Sequence, residues 1–84
     1  MSYFWVFKHP ATEKGIVIAS ERPDDLEVRE LSLDFRGQNY KFIEMFRADA
    51  SCDYTYNMCR IVKKHFPRER MLLTDIEEIE RYGL

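Results

Sequence analysis

The residues of this chain best suited to chemistry are the cations of one short segment, residues 60–70. The segments at 21–34 and 71–84 are instead rich in aspartate and glutamate. Because a cluster of one charge sign attracts the opposite sign, this pattern indicates a surface for an anionic partner. The alternative is that the segment pairs with the acidic segments of its own chain. It holds five of the thirteen lysines and arginines, namely Arg60, Lys63, Lys64, Arg68 and Arg70.

For two of these five cations, the dipole of a helix does not explain the positive charge. The first three fall in the last turns of a predicted helix, where the helix dipole already favours positive charge. Arg68 and Arg70 follow Pro67, which ends that helix. Since a guanidinium can hold a carboxylate or a phosphate through two parallel hydrogen bonds, we expect these two arginines to anchor the binding surface.

The expected partner of this surface is an acidic protein, and nucleic acid is the alternative. Tyr54 and Tyr56 favour nucleic acid, since they share the predicted helix and could stack on unpaired bases. The sequence pI of about 5.7 argues against it, because nucleic-acid-binding domains are often strongly basic. The acidic neighbouring segments would also repel a long duplex.

No arrangement of residues in the sequence predicts catalysis. A nucleophilic site needs a serine, cysteine or threonine beside a base, and neither His9 nor His65 adjoins such a motif. Cys52 and Cys59 are seven residues apart in a predicted helix, too far for a disulfide, and a metal site needs more ligands at tight spacing. We expect both thiols to be buried, and we expect no metal and no cofactor.

The length of 84 residues predicts one domain over residues 1–84. No stretch approaches the roughly 20 apolar residues needed to span a membrane, so no membrane partner is expected. The first residues lack the cationic start of a signal peptide. Together with only two cysteines, this favours a cytoplasmic location.

Three segments have the composition of β-strands. Residues 3–7 and 16–19 are β-branched and aromatic, and the connection between them is turn-like and too short for a parallel crossover. They therefore predict an antiparallel hairpin. Because both strands are continuously apolar, we expect them to be covered on both faces, or on one face by the chain itself and on the other by a partner. A third strand is predicted at residues 40–46.

The segment at residues 24–36 is ambiguous. Pro23 and the acids that follow it are typical of a helix start, and Gly37 is typical of a helix end. Yet Leu31, Leu33 and Phe35 alternate with polar residues, which indicates a strand and then a hairpin turn at residues 36–39. We favour the helix, because the apolar residues before Leu31 are out of phase with a strand.

Two further helices are predicted in the second half of the chain. Residues 51–66 form the first, capped by Ser51 and followed by Pro67. Its buried stripe is expected to contain Thr55, Met58, Cys59, Val62 and Phe66.

A short strand at residues 71–73 comes next, and then a capping box from Thr74 to Glu77 that opens the last helix. The predicted inward residues of that helix are Ile76, Ile79 and Tyr82. The fold class is therefore α+β, with an antiparallel sheet of three or four strands, including the N-terminal hairpin, packed by two or three helices.

The order of these elements resembles the GIY-YIG nuclease domains over nearly the whole chain. The hairpin of residues 5–19 looks like the opening of that family, and the segments at 23–31, 40–46, 63–66 and 74–78 follow in the same order. The resemblance implies the family's fold and a surface that faces nucleic acid. The surviving polar candidates would be Tyr3, Arg29 and Glu44.

The chain departs from the GIY-YIG pattern at the positions that matter for cleavage. Val17 and Ala19 stand where the second motif has tyrosine and glycine, and Glu27 stands near the family's helix arginine. Cys59 falls near the metal-binding glutamate, and a thiol is not the oxygen ligand that magnesium requires. The resemblance therefore implies a degenerate domain that does not cleave.

The sequence favours a small, non-catalytic intracellular binding module, a regulator or inhibitor that acts through protein–protein contacts. Such free-standing proteins are common on phages and mobile elements. One alternative is a degenerate GIY-YIG-like domain that binds nucleic acid. Another is a homo-oligomeric structural subunit, such as a homodimer that pairs its hydrophobic strands.

Overall fold

A computed structural model describes residues 2–22 and 32–82. Strands and helices follow one another along the chain, and a short 3₁₀ helix at Arg68–Arg70 leads into the last strand. The elements are β1 (Ser2–Lys8), β2 (Gly15–Ser20), β3 (Ser32–Phe35), β4 (Gln38–Ala48), α1 (Ser51–Lys64), β5 (Met71–Asp75) and α2 (Ile76–Tyr82).

The strands form one sheet in the order β3-β4-β1-β2-β5. The predicted α+β class and the β1–β2 hairpin are confirmed. Within the described residues the sheet has five strands where three or four were predicted, and it is mixed, not purely antiparallel, since β5 runs parallel to β2. A parallel pair needs a long connection, and here the chain between β2 and β5 includes two strands and α1.

Both faces of the sheet carry a hydrophobic cluster, as the continuously apolar strands predict. Because side chains alternate along β1, Phe4 and Val6 face α1, whereas Trp5 and Phe7 face the opposite side. The cluster under α1 is formed mainly by Phe4, Val6, Val17, Phe46, Ala48, Met58, Ile61 and Phe66. The second cluster, which includes α2, is formed mainly by Trp5, Phe7, Ile16, Ile18, Phe35, Tyr40 and Ile79.

The helix favoured over residues 24–35 is wrong at its C-terminal end, where β3 lies instead. Arg36 and Gly37 have φ values of 51° and 76°, and Phe35 pairs with Gln38 across them. Two successive positive φ values make a tight turn whose twist matches an antiparallel hairpin, so the chain reverses rather than ending a helix. The rest of the predicted helix lies outside the described residues.

Helix α1 is rotated relative to the predicted stripe. Its buried residues are Met58 and Ile61, and Tyr54 packs against Phe4 with ring centroids 5.0 Å apart. Thr55 and Cys59 are exposed, so their predicted burial is wrong. The stripe begins one residue earlier than the sequence suggested, because the aromatic ring of Tyr54 fills the space beside Phe4.

The caps of both helices and the exposure of the thiols also differ from the predictions. Ser51 is the first helical residue, and Ala50 holds the cap position without a side-chain bond. Both cysteines are free and exposed, contrary to the prediction of buried thiols. At α2, the Asp75 carboxylate accepts the backbone N–H of Glu78, which replaces the predicted capping box from Thr74 to Glu77.

The ring of Phe66 lies directly on Gly15 and occupies the place where a Cβ would stand. Phe66 is buried and follows the end of α1, so this contact ties the helix end to the first residue of β2. The chain then passes around this end of the sheet towards β5. None of the helices within residues 2–22 and 32–82 is long and apolar enough to cross a membrane.

Candidate binding site

A β-bulge in β4 turns one carboxylate towards α1. Val6 pairs with Glu44 while Phe7 pairs with Phe42, so Ile43 is an extra residue on β4. A bulge of this kind lets two successive side chains point to the same face of a sheet. Ile43 packs on the cluster under α1, and Glu44 bonds to residues of α1 and its end.

Glu44 is the centre of a partly buried polar network. The guanidinium of Arg60 donates two bonds to its carboxylate, at 3.0 and 2.6 Å, and one to Asn57 Oδ1 at 2.9 Å. The Nε2 atom of His65 lies 3.3 Å from Glu44 Oε2. The hydrogen bonds from Arg60 lower the pKa of Glu44 below its usual value, and the same pair raises the pKa of Arg60.

Glu44→Gln should destabilise the fold at neutral pH and much less in acid. Since the folded-state pKa of Glu44 is lowered, its ion pair stabilises the fold above the unfolded-state pKa, and this contribution is lost as the pH falls through the folded-state pKa. We expect a loss of about 1–2 kcal/mol at about pH 7 that shrinks towards about pH 3. Urea unfolding of both proteins at the two pH values measures it, and an equal loss at both would contradict the ion-pair account.

Lysines from neighbouring strands meet at the end of the sheet where β1 finishes. Lys8 pairs with Lys41 on one side and with Gly15 on the other. Lys8 continues the alternation of Val6, so it faces α1, and Lys41 faces the same side because Phe42 belongs to the opposite cluster. Helix α1 also ends here, since Phe66 lies on Gly15.

Cations from the turns and from α1 join these lysines, and we call the resulting surface the basic end. The turn of the β3–β4 hairpin lies beyond Lys41, and the Nη1 atom of Arg70 donates to the backbone oxygen of Thr12 at 2.6 Å. The basic end comprises Lys8, Lys14, Arg36, Lys41, Lys63, Lys64, Arg68 and Arg70, with Glu13, Asp34 and Glu69 among them.

Carboxylates dominate the opposite end of the sheet, which we call the acidic end. Asp75 pairs with Ala19 near the finish of β2, and α1 begins at this end because Ala48 pairs with Ser2. The charge segregation seen along the sequence thus becomes a polarity along the strand direction. The acids here are Glu21, Asp49, Asp53, Asp75, Glu77 and Glu78, and the cations among them are Arg22, Arg47 and Arg81.

A cleft of ≈ 390 Å³ opens at the basic end, between the β3–β4 turn and the start of β5. We call it the basic cleft. Burial at its wall raises the pKa of Tyr40, whose hydroxyl donates to Gln38 at 3.2 Å. With three cations around a small concavity, the cleft suits a carboxylate or phosphate group. Its lining residues are Lys14, Gly15, Phe35, Arg36, Gln38, Tyr40, Glu69, Arg70, Met71 and Leu72.

The five cations of residues 60–70 have different positions in the fold. Arg70 lines the basic cleft, and Lys63, Lys64 and Arg68 are exposed at the same end of the molecule. Arg60 is instead bonded to Glu44, so for this residue the alternative of pairing within the chain holds. Its partner lies in β4, outside the acidic segments at 21–34 and 71–84.

Four cations of the basic end were missed by sequence reasoning. Lys8 and Lys14 flank the predicted β1–β2 turn, so their proximity could have been read from that hairpin. Lys41 and Arg36 could not, because their position depends on the pairing of β4 with β1 and on the turn after β3.

The polar residues implied by the GIY-YIG resemblance do not converge where they are described. Tyr3 alternates with Phe4 and so faces away from α1, whereas Glu44 faces α1. Arg29 lies outside the described residues. Within residues 2–22 and 32–82, no group of three or more His, Cys, Asp or Glu side chains could hold a metal ion.

No family model matches the sequence, and no curated protein or solved structure matches it either.

Proposed function

We propose that this protein is a small, non-catalytic binding module whose basic end holds an acidic segment of a partner protein, as a regulator or inhibitor would. The observation that carries the proposal is the basic cleft, where Lys14, Arg36 and Arg70 surround one concavity. The exposed cations Lys63 and Lys64 extend the same surface on the α1 side. Two free, exposed cysteines fit a reducing compartment for this activity.

The gathering of like charges at the basic end supports binding over a purely structural role. Lys8 and Lys41 are direct cross-strand neighbours, and like charges in that position destabilise a sheet. An anionic partner would relieve this repulsion when it binds. The opposite polarity of the two ends of the molecule would also orient an approaching charged partner and raise the association rate.

A short acidic peptide fits this surface better than a nucleic acid. Glu13 and Glu69 interrupt the cations, and the acidic end limits how far a regular row of phosphates could follow the protein. A peptide can place its carboxylates selectively, with one in the basic cleft and others near the α1 lysines. One observation favours nucleic acid: Tyr56 on α1 has 70% of its surface exposed and could stack on an unpaired base.

Lys14→Glu is expected to weaken binding of a fluorescein-labelled oligoglutamate peptide at least tenfold, a change of about 1.4 kcal/mol. The matched control is Arg47→Glu, which changes the net charge equally but lies at the acidic end, where Arg47 is exposed and bonded to Asp49. Fluorescence anisotropy at low and moderate salt measures both variants, with circular dichroism to verify folding. If both variants weakened peptide binding equally, the loss of affinity would follow from net charge alone, and this would contradict a localised site.

The same titration separates the peptide from the nucleic acid. A labelled single-stranded oligonucleotide of similar charge should bind more weakly than the oligoglutamate. Tighter binding of the oligonucleotide, lost on Tyr56→Ala, would replace the protein partner with nucleic acid. Cleavage of the oligonucleotide with magnesium would contradict a non-catalytic module and favour the GIY-YIG-like alternative.

A further inference from the structure

Strand β5 presents an apolar edge at one side of the sheet. It pairs with β2 on its inner side, and no strand within residues 2–22 and 32–82 pairs with its outer side. Alternate N–H and C=O groups of a strand point away from its neighbour, so this outer side can pair with another strand. Natural proteins usually protect such an edge with charges, proline or a bulge, and the centre of β5 is Leu72 followed by Leu73.

The two leucines are half-exposed on opposite faces of this edge. Leu72 pairs with Ile16 and Leu73 with Val17, which belong to the two different hydrophobic clusters. Their exposed fractions are 40% and 50%, large values for leucines beside fully buried β2 partners. Each cluster is therefore open at the same edge, and a further strand beside β5 would cover both.

We propose that β5 pairs with β5 of a second copy of this chain, in an antiparallel arrangement with Leu73 on the two-fold axis. In this register Leu73 faces its own counterpart, Leu72 faces Thr74, and Met71 faces Asp75. The two five-stranded sheets then continue into one sheet of both copies. This proposal rests on the β5 edge and not on the proposed function, but Arg70, Met71 and Leu72 also line the basic cleft, so β5 pairing and an acidic peptide would compete there.

The charge polarity of the molecule argues for a second copy as the occupant. An antiparallel pair of β5 strands reverses the strand direction, so the basic end of each copy lies beside the acidic end of the other. Arg68 and Arg70 precede β5, whereas Asp75 ends it and Glu77 follows. Opposite charges thus meet at both ends of the paired strands, and the leucines meet at the centre. A parallel pair would bring like charges together.

Light scattering after size-exclusion chromatography tests the pairing. The mass should rise from 10.2 kDa towards twice that value as the protein concentration increases. Leu73→Lys should abolish this rise, because a lysine would face a lysine at the two-fold axis. The matched control is Met45→Lys, since Met45 is 41% exposed on β4, which β1 and β2 separate from β5, and this variant should still dimerise.

A cross-linking experiment tests the register even if Leu73→Lys fails to fold. In a Cys52→Ser, Cys59→Ser background, Leu73→Cys should form an interchain disulfide rapidly, because opposed residues have Cβ atoms about 4.5–5.5 Å apart. Leu72→Cys should cross-link much more slowly, since it faces Thr74. A monomer at every concentration, or equal cross-linking of the two variants, would overturn the proposal. Because Leu73→Lys should be monomeric, its oligoglutamate binding is free of competition from β5 pairing, so the two proposals can fail separately.

Discussion

Gly15→Val should unfold the protein or lower its free energy of unfolding by about 3 kcal/mol or more. The ring of Phe66 occupies the space that any side chain at Gly15 would need, and Gly15 itself is buried in β2. A valine must therefore push Phe66 out of the cluster under α1. Since a domain of 84 residues is stable by only about 4–13 kcal/mol, this loss is a large fraction of the total.

Urea unfolding followed by circular dichroism measures the effect of Gly15→Val, and two variants make the result specific. Gly37→Ala replaces a glycine with φ of +76° in open space, so it should lose only about 1 kcal/mol from backbone strain. Phe66→Ala removes the obstructing ring, so the double variant with Gly15→Val should be less destabilised than the sum of the two single variants. Strict additivity would contradict the contact between these residues.

The second large effect is expected at Ile61, whose replacement by alanine should lower the free energy of unfolding by about 2–5 kcal/mol. Ile61 has 0% of its surface exposed and faces the sheet from α1. Its removal would leave a cavity in the middle of the cluster under α1. The expected loss is large because surrounding strands cannot easily collapse into that space.

Cys59→Ala is the matched control for Ile61→Ala, because both residues lie in the middle of α1 and both become alanine. Cys59 is exposed, so its replacement should change the free energy of unfolding by no more than about 0.5 kcal/mol. Chemical unfolding of the two variants side by side decides the phase of the helix. A larger loss at Cys59 would restore the stripe that the sequence suggested.

The contrast between these two positions shows where sequence reasoning succeeds and fails in this protein. The β1–β2 hairpin was predictable, because two strongly apolar segments flank a short turn-like connection. The face of α1 that is buried could not be predicted, because the helix sequence allows two neighbouring apolar stripes. The choice between these stripes depends on the packing of Tyr54 against Phe4. Strand β3 was predicted only as the alternative to a helix, because the local helix signals competed with a turn that needs two positive φ values.

The candidate site was only partly predictable for a similar reason. The cations at 60–70 are visible as a cluster in the sequence, and four of the five do lie at the basic end. Arg60 is not part of the basic end, because it bonds to Glu44, which the β4 bulge turns towards α1. No local pattern in the sequence indicates this bulge. The basic cleft likewise joins the β3–β4 turn to the start of β5, two segments distant in the sequence.

The most direct test of the central claim is to map where an acidic peptide binds. Titration of ¹⁵N-labelled protein with oligoglutamate should shift the backbone amide signals of the basic cleft, with Gly15, Gln38 and Arg70 most affected. Signals of the acidic end, such as those of Glu21 and Asp53, should stay in place. Saturable shifts confined to the basic end are the predicted result, and shifts centred on the acidic end, or none at all, would contradict it.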